Sequence, residues 1–295
     1  MIGVRIVMKD TLKFYQEHDM MTEIKTMKHM VTGIPKDIKT IVTYVQNILL
    51  HQHWSEVYGL ELSDERKKEP FIRSFEDKLI FLNKLGFTHV SEQRTNDHKM
   101  ISICRDFSVV AAALCREAGI PARARCGFAS YFEKDKYIDH WVLEYWNEEK
   151  KKWVMVDAQL DVLQQRALKL PFDPLDVSEN YFITGPRAWL LCREGKLNPE
   201  LFGIFKWWGY DYLRCNLIFD ANSLLKMPMQ PWDMWEGYKS LPIEEWTEED
   251  YKVMDDLSIH DINGDHHFEA FYQYVQTNDK IKVPEDLSKV INSLE

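Results

Sequence analysis

Four things are scarce in this sequence, and each scarcity removes a class of protein. Cysteines number five (Cys104, Cys115, Cys126, Cys192 and Cys215), an odd count without a CxxC pair. That excludes a disulfide framework and argues against a structural zinc site. No apolar run approaches the roughly twenty residues that a membrane helix needs. The opening Met1–Lys9 is short and interrupted by Arg5, so no secretory signal is expected. Basic residues are outnumbered: 37 Lys and Arg stand against 47 Asp and Glu, a formal net charge of -10. With no Lys/Arg block, a general nucleic-acid binder is excluded. Repeats and low-complexity linkers are also lacking. The expectation is a cytoplasmic protein with neither nucleic acid nor membrane as partner, of open oligomeric state.

What is present is a packed chain. Of its 295 residues 45% are apolar and 13% aromatic, enough for a sizeable core. Ile38, Ile41, Val42, Val45, Ile48 and Leu49 recur at helical spacing after Pro35. Residues 60–73 read as a loop. A second helix is expected from Ser74 to Leu85, with Phe75, Leu79, Leu82 and Leu85 on one face and a stop at Gly86. Ser91–Lys99 is polar and reads as another loop. Residues 104–118 form a third helix, closed by Gly119 and Pro121. Three strand-like runs follow, Ala122–Tyr131, Ile138–Trp146 and Trp153–Asp157, the last two joined as a hairpin. Further on, Ala188–Arg193, Tyr212–Lys226 and Glu248–Leu257 are expected helices, and 202–238 is rich in Trp and Tyr. The chain is expected to be a single domain, with a core at about 74–165. Helical parts at 1–73 and 166–295 would pack on it.

Cys104, His140 and Asp157 carry the chemistry. With Ser102 as N-cap, Cys104 is the second helical residue, beside free backbone N–H groups and the positive end of the helix dipole. That setting favours thiolate, the nucleophilic form, and the Cys104 N–H is placed to help hold an oxyanion. Phe107, Ala111, Leu114, Cys115 and Ala118 mark the buried face, and Cys115 lies about three turns along from Cys104. Alternation sets His140, Val142 and Glu144 on one strand face. If Asn147 pairs with Lys150, His140 falls directly across from Asp157, close enough for a carboxylate to orient an imidazole. Thiolate, imidazole and carboxylate then act as nucleophile, base and orienter.

The runs Cys104-Arg105-Asp106-Phe107-Ser108, Leu114 through Arg123, His140-Trp141-Val142-Leu143-Glu144 and Trp153-Val154-Met155-Val156-Asp157 resemble the transglutaminase-like superfamily. The resemblance covers about residues 90–160. It implies an α+β fold with a papain-like core, in which a helix bearing cysteine packs on an antiparallel sheet bearing histidine and aspartate. It also implies cysteine-dependent acyl transfer on an amide or peptide bond through a thioester, by Cys104, His140 and Asp157. The usual glycine before the cysteine is replaced by Ser102-Ile103, and the proline after the aspartate by Ala158. Substrates would be a protein, a peptide or a small amide. Hydrolysis is favoured over amine transfer, because water needs no site of its own. No cofactor or metal is called for. The rival is a non-catalytic binding or scaffold protein that keeps the core for its shape.

Other residues read as structural. Cys115, Cys126, Cys192 and Cys215 are small buried hydrophobes. Arg123 and Arg125 form a salt-bridged or solvated strand face, and Arg105 and Asp106 pair with neighbours. Trp207, Trp208, Trp232 and Trp235 are aromatic core. His260, Asp261, Asp265, His266 and His267 read as a surface turn, since Gly264 does not fit a calcium loop.

Overall fold

A computed structural model describes residues 11–236 and 243–292; the opening Met1–Lys9 lies outside them. Helices and sheets are mixed along the chain, an α+β protein. It divides into two compact units, one of residues 12–124 and 141–177, the other of the described residues of 125–140 and 178–295 with Thr11.

In the unit of residues 12–124 and 141–177, helix α1 (Ile38–Ile48) starts where the Asp37 carboxylate accepts the Thr40 N–H at 2.8 Å. Its Ile41, Val42, Val45 and Ile48 are buried. Strand β1 (Leu49–His51) pairs in parallel with β2 (Met100–Ser102). Helix α2 (Phe75–Lys84) is capped by Ser74, whose hydroxyl accepts the Asp77 N–H at 3.1 Å. Phe75, Leu79 and Leu82 are fully buried, whereas Leu85 lies past the last turn and is partly exposed. The two expected loops each contain a short 3-10 segment, Arg66–Phe71 and Asn96–His98.

Helix α3 (Cys104–Glu117) is buried on every side from Cys104 to Arg116, not on one face. Its three alanines, Ala111 to Ala113, allow such close packing. Gly119, at φ +71°, ends it in the left-handed conformation expected of a helix stop. Strands β3 (Ala122–Ala129), β4 (Tyr137–Asn147) and β5 (Lys152–Val156) follow. Side chains of α1, α2 and α3 close with Leu143 and Val156 into one apolar core. Helix α4 (Val162–Leu168) begins at Asp161.

The hairpin register differs from the expected one. Asn147 pairs with Lys152, and the ladder runs to Leu143 opposite Val156. The connection holds four residues instead of two. The Asn147 side chain accepts the N–H groups of Glu149 and Lys150, and Lys151 takes a positive φ of 50°. Continued one residue, this register sets Asp157 across Val142, not across His140.

The other unit contains β6 (Phe182–Thr184), β7 (Phe202–Ile204) and β8 (Trp207–Trp208). Strand order is β6-β3-β4-β7-β8, with β5 on β4. Here β3 contributes residues 127–129 to β6, and β4 contributes Tyr137 and Ile138 to β7. Helices α5 (Gly185–Arg193), α6 (Tyr210–Leu224), α7 (Glu248–Ile262) and α8 (Phe268–Gln276) complete it. Helices α5 and α7 extend the expected ones, α6 lies two residues earlier than expected at both ends, and α8 was not anticipated. Trp189 is a buried hub: its indole N–H donates to Asp255 at 2.7 Å and its ring meets Tyr210 edge-on. Trp235 is core as expected, but Trp207 is 48% exposed at the β7–β8 hairpin. His260 and Asp261 belong to the last turn of α7 instead of a surface turn. The His260 ring stacks on Tyr274 and Asp261 is buried. Among the described residues no helix is long and apolar enough to cross a membrane.

Candidate functional site

Cys104 is the first residue of α3, not the second, because the N-cap is Ile103. Ser102 is held in β2 opposite His51, and its buried hydroxyl has no hydrogen-bond partner among the described residues. The capping duty falls to Asp106, whose carboxylate accepts the Ile103 N–H at 3.2 Å. Cys104 still stands where the helix start leaves its first N–H groups without helical partners. It is 8% exposed, and its own carbonyl accepts the Ser108 hydroxyl at 3.3 Å.

Asp157 follows the last residue of β5 and is fully buried. Its backbone N–H donates to the Pro174 carbonyl at 2.8 Å, and its Oδ1 accepts the Gln159 N–H at 3.0 Å. The side chain therefore takes part in the turn that leaves the strand. Cys104 and Asp157 lie in the same unit.

A polar recess with about 210 Å³ of empty space, part of it open to solvent, lies in that unit. Phe107, one turn beyond Cys104, lines it with His51, Tyr58, Lys99, Gln159 and Gln164. The Tyr58 hydroxyl donates to Asp161 at 2.6 Å and accepts from Gln164, which in turn accepts from Gln159. Burial and the Asp161 hydrogen bond hold the Tyr58 phenol well above its usual range. Burial pulls the Lys99 ammonium down, with Asp161 opposing. The Gln159 side-chain oxygen is buried without a partner among the described residues. The sequence reading missed this group, because Tyr58 and Gln164 are 106 residues apart and neither belongs to a recognisable motif.

His140 is the β4 residue next to Trp141 and counts with the other unit. It is 2% exposed, with Phe132 edge-on at 4.9 Å and Tyr131 at 6.0 Å. Phe182 of β6 is brought beside it, at 6.4 Å. That approach requires Gly127 on β3, where a Cβ would run into the Phe182 ring and the Ile183 carbonyl. The preceding Asp139 points to the opposite face by strand alternation. Asn216 and Tyr212 hydrogen-bond its carboxylate, and burial pushes it up to about 6.

Of the remaining cysteines, Cys115, Cys126 and Cys192 are buried as expected, whereas Cys215 is only half-buried; burial pushes the Cys115 and Cys192 thiols up to about 12. Arg123 pairs with Glu144 at 2.7 Å and lies over the Trp153 ring, and Arg125 pairs with Asp220 at 2.7 Å. Both are the structural salt bridges anticipated. Among the described residues no group of three or more His, Cys, Asp and Glu is arranged to hold a metal ion.

Residues 88–158 match the family model of the transglutaminase-like superfamily. Cysteine-based acyl transfer is common in that superfamily, and non-catalytic members occur. The match spans Cys104, His140 and Asp157. No curated protein and no solved structure matches the chain.

Proposed function

We propose that the chain is a cysteine-dependent acyl-transfer enzyme with a papain-like core, acting on an amide or peptide bond. Cys104 is its nucleophile, His140 its base and Asp157 its orienter. The observation that carries this reading is a cysteine at the first turn of a helix buried from Cys104 to Arg116, inside the matched segment. The helix start and the positive end of its dipole favour thiolate there. The thiolate attacks the acyl carbon, and backbone N–H groups at the helix start take up the oxyanion. The imidazolium gives its proton to the departing amine, leaving a thioester. Water then yields the acid, or a second amine yields a new amide, with the imidazole taking the incoming proton. The aromatic surroundings of His140 keep bulk water from the ring.

Peptides and small amides are the substrates to screen, for release of ammonia or amine. Cys104→Ala is expected to lower turnover on the order of a thousandfold or more while the protein stays folded. Turnover that survives this substitution removes Cys104 from the chemistry. The rival reading is a non-catalytic scaffold. It predicts no turnover in any such screen and an ordinary thiol at Cys104.

A further inference from the structure

A hydrogen-bond chain of fixed polarity ends at the recess in the unit of residues 12–124 and 141–177. Asp161 Oδ1 accepts the Leu163 and Gln164 N–H groups, and its Oδ2 accepts the Tyr58 hydroxyl at 2.6 Å. A carboxylate offers no proton, so the hydroxyl has to donate. Its oxygen then takes the Gln164 side-chain N–H at 3.1 Å, and the Gln164 side-chain oxygen takes the Gln159 side-chain N–H at 3.0 Å. The last group of the chain is therefore Gln159 Oε1, an acceptor. Gln159 is 2% exposed and lines the recess, and this oxygen is buried without a partner among the described residues. An acceptor left in that state is costly, and a donor entering the recess relieves it.

Lys99 lines the same recess. Asp161 attracts its ammonium, which makes no hydrogen bond among the described residues. The recess thus offers one acceptor and one donor. An anion would meet the Gln159 oxygen and the Asp161 carboxylate, and a second cation would meet Lys99. The group that suits both partners is neutral, and it donates and accepts at once. The enclosed part of the recess has room for about one water-sized group. A hydroxyl serves both partners through a single atom, whereas a carboxamide spreads the two functions over a plane and brings a second N–H. Leu49, Leu50 and Phe107 supply apolar wall, which a short aliphatic body covers and water does not.

We infer that this recess is a binding site for a hydroxyl group on a short aliphatic chain, its proton given to Gln159 Oε1 and its oxygen held by the Lys99 ammonium. Nothing in this recognition requires Cys104 to be a nucleophile. The experiment titrates the full chain, carrying labelled leucine methyl groups, with four probes of one size that differ in the head group. These are propan-1-ol, propionamide, propionate and propylammonium. The Leu49 and Leu50 methyl signals in NMR spectra report occupancy. Propan-1-ol is expected to move them saturably. Propionate and propylammonium are expected to bind about tenfold more weakly or not at all, with propionamide in between.

Two variants separate the two partners, with folding checked by circular dichroism. Lys99→Met keeps the aliphatic stem and loses the donor, and Gln159→Met loses the acceptor. Each is expected to weaken propan-1-ol binding about fivefold or more. Should Gln159→Met not fold, Lys99→Met on a half-buried site and the wild-type panel still decide. Four probes that bind alike overturn the inference, and so does a panel in which none binds, which would leave the recess to solvent. A preference for propionate overturns it by making Lys99 a plain anion site. Tighter binding of propionamide than of propan-1-ol overturns the assignment to a hydroxyl. A folded Lys99→Met or Gln159→Met that binds propan-1-ol as the wild type does is equally fatal.

Discussion

Each unit buries a charged cluster: in one a carboxylate is shared by two cations, in the other a guanidinium is shared by two carboxylates. In the unit of residues 12–124 and 141–177, Lys78 and Arg105 share the Asp106 carboxylate. In the other, Arg125 is shared by Asp220, which it grips at 3.0 and 2.7 Å, and by Asp261 at 3.2 Å. The Cys126 N–H adds a further bond to Asp220 at 2.8 Å. Asp139 also lies in this second unit. The lesson is that a buried ionic group has two separable properties. Its bonds tie elements together, and its net charge biases titratable neighbours. The first cluster ties the chain entering α2 to the start of α3, the helix that begins at Cys104. The second sits in an acidic unit, where burial already leaves one carboxylate hard to ionise.

The largest effect is expected where one cation is shared by two buried anions. Arg125→Met leaves Asp220 and Asp261 without the guanidinium they share. The cost is expected to be on the order of 3–5 kcal/mol in urea unfolding at neutral pH. Lys78→Met should cost less, because Asp106 keeps Arg105 and the Ile103 N–H. If Lys78→Met proves the more damaging, the number of anions a cation serves is not what separates the clusters.

A second effect tests the acidic side through pH. Burial pushes Asp139 up to about 6, above the unfolded value of about 3.9. A carboxyl raised by folding contributes stability in full below its unfolded pKa and loses it as pH climbs through the folded pKa. Asp139→Asn, which cannot ionise, should therefore gain on wild type between about pH 4 and 6. Above that range the gain should level off on the order of 3 kcal/mol. Unfolding midpoints of both proteins across pH 4 to 8 give the answer. A difference that stays flat would mean that Asp139 ionises normally in the fold.

These clusters also mark how far the sequence could be read. The cysteine helix, the three middle strands and their hairpin were legible because apolar spacing, Gly119 and Pro121 are local signals. Ser102 was a sound N-cap by residue type, but parallel pairing of β2 with the distant β1 keeps it in a strand and moves the cap to Ile103. The register slipped because Lys151 takes a left-handed turn position usually marked by glycine or asparagine. Arg105, Asp106, Arg123 and Arg125 were recognisable as salt-bridge formers. The partners Lys78, Asp220 and Asp261 were not, since Arg125 and Asp261 are 136 residues apart. The candidates Cys104, His140 and Asp157 came from motif and order. The crowding of aromatic rings around His140 came only from the fold.

The smallest effect isolates what a bond contributes when no net charge changes. The Tyr58 hydroxyl donates to Asp161 at 2.6 Å and accepts from Gln164 at 3.1 Å. Tyr58→Phe removes both bonds but does not strand Asp161, whose Oδ1 still accepts the Leu163 and Gln164 N–H groups at the start of α4. The cost is expected to be about 1–2 kcal/mol, a fall of a few degrees in Tm. The phenol is held above its usual range, so it stays protonated and the cost should be the same at pH 6 and pH 9. The pH-dependent gain of Asp139→Asn would then stand against a flat Tyr58→Phe loss measured in the same way. A Tyr58→Phe loss as large as that of Lys78→Met would show that the cationic cluster stabilises the fold no more than an uncharged hydrogen-bond network does.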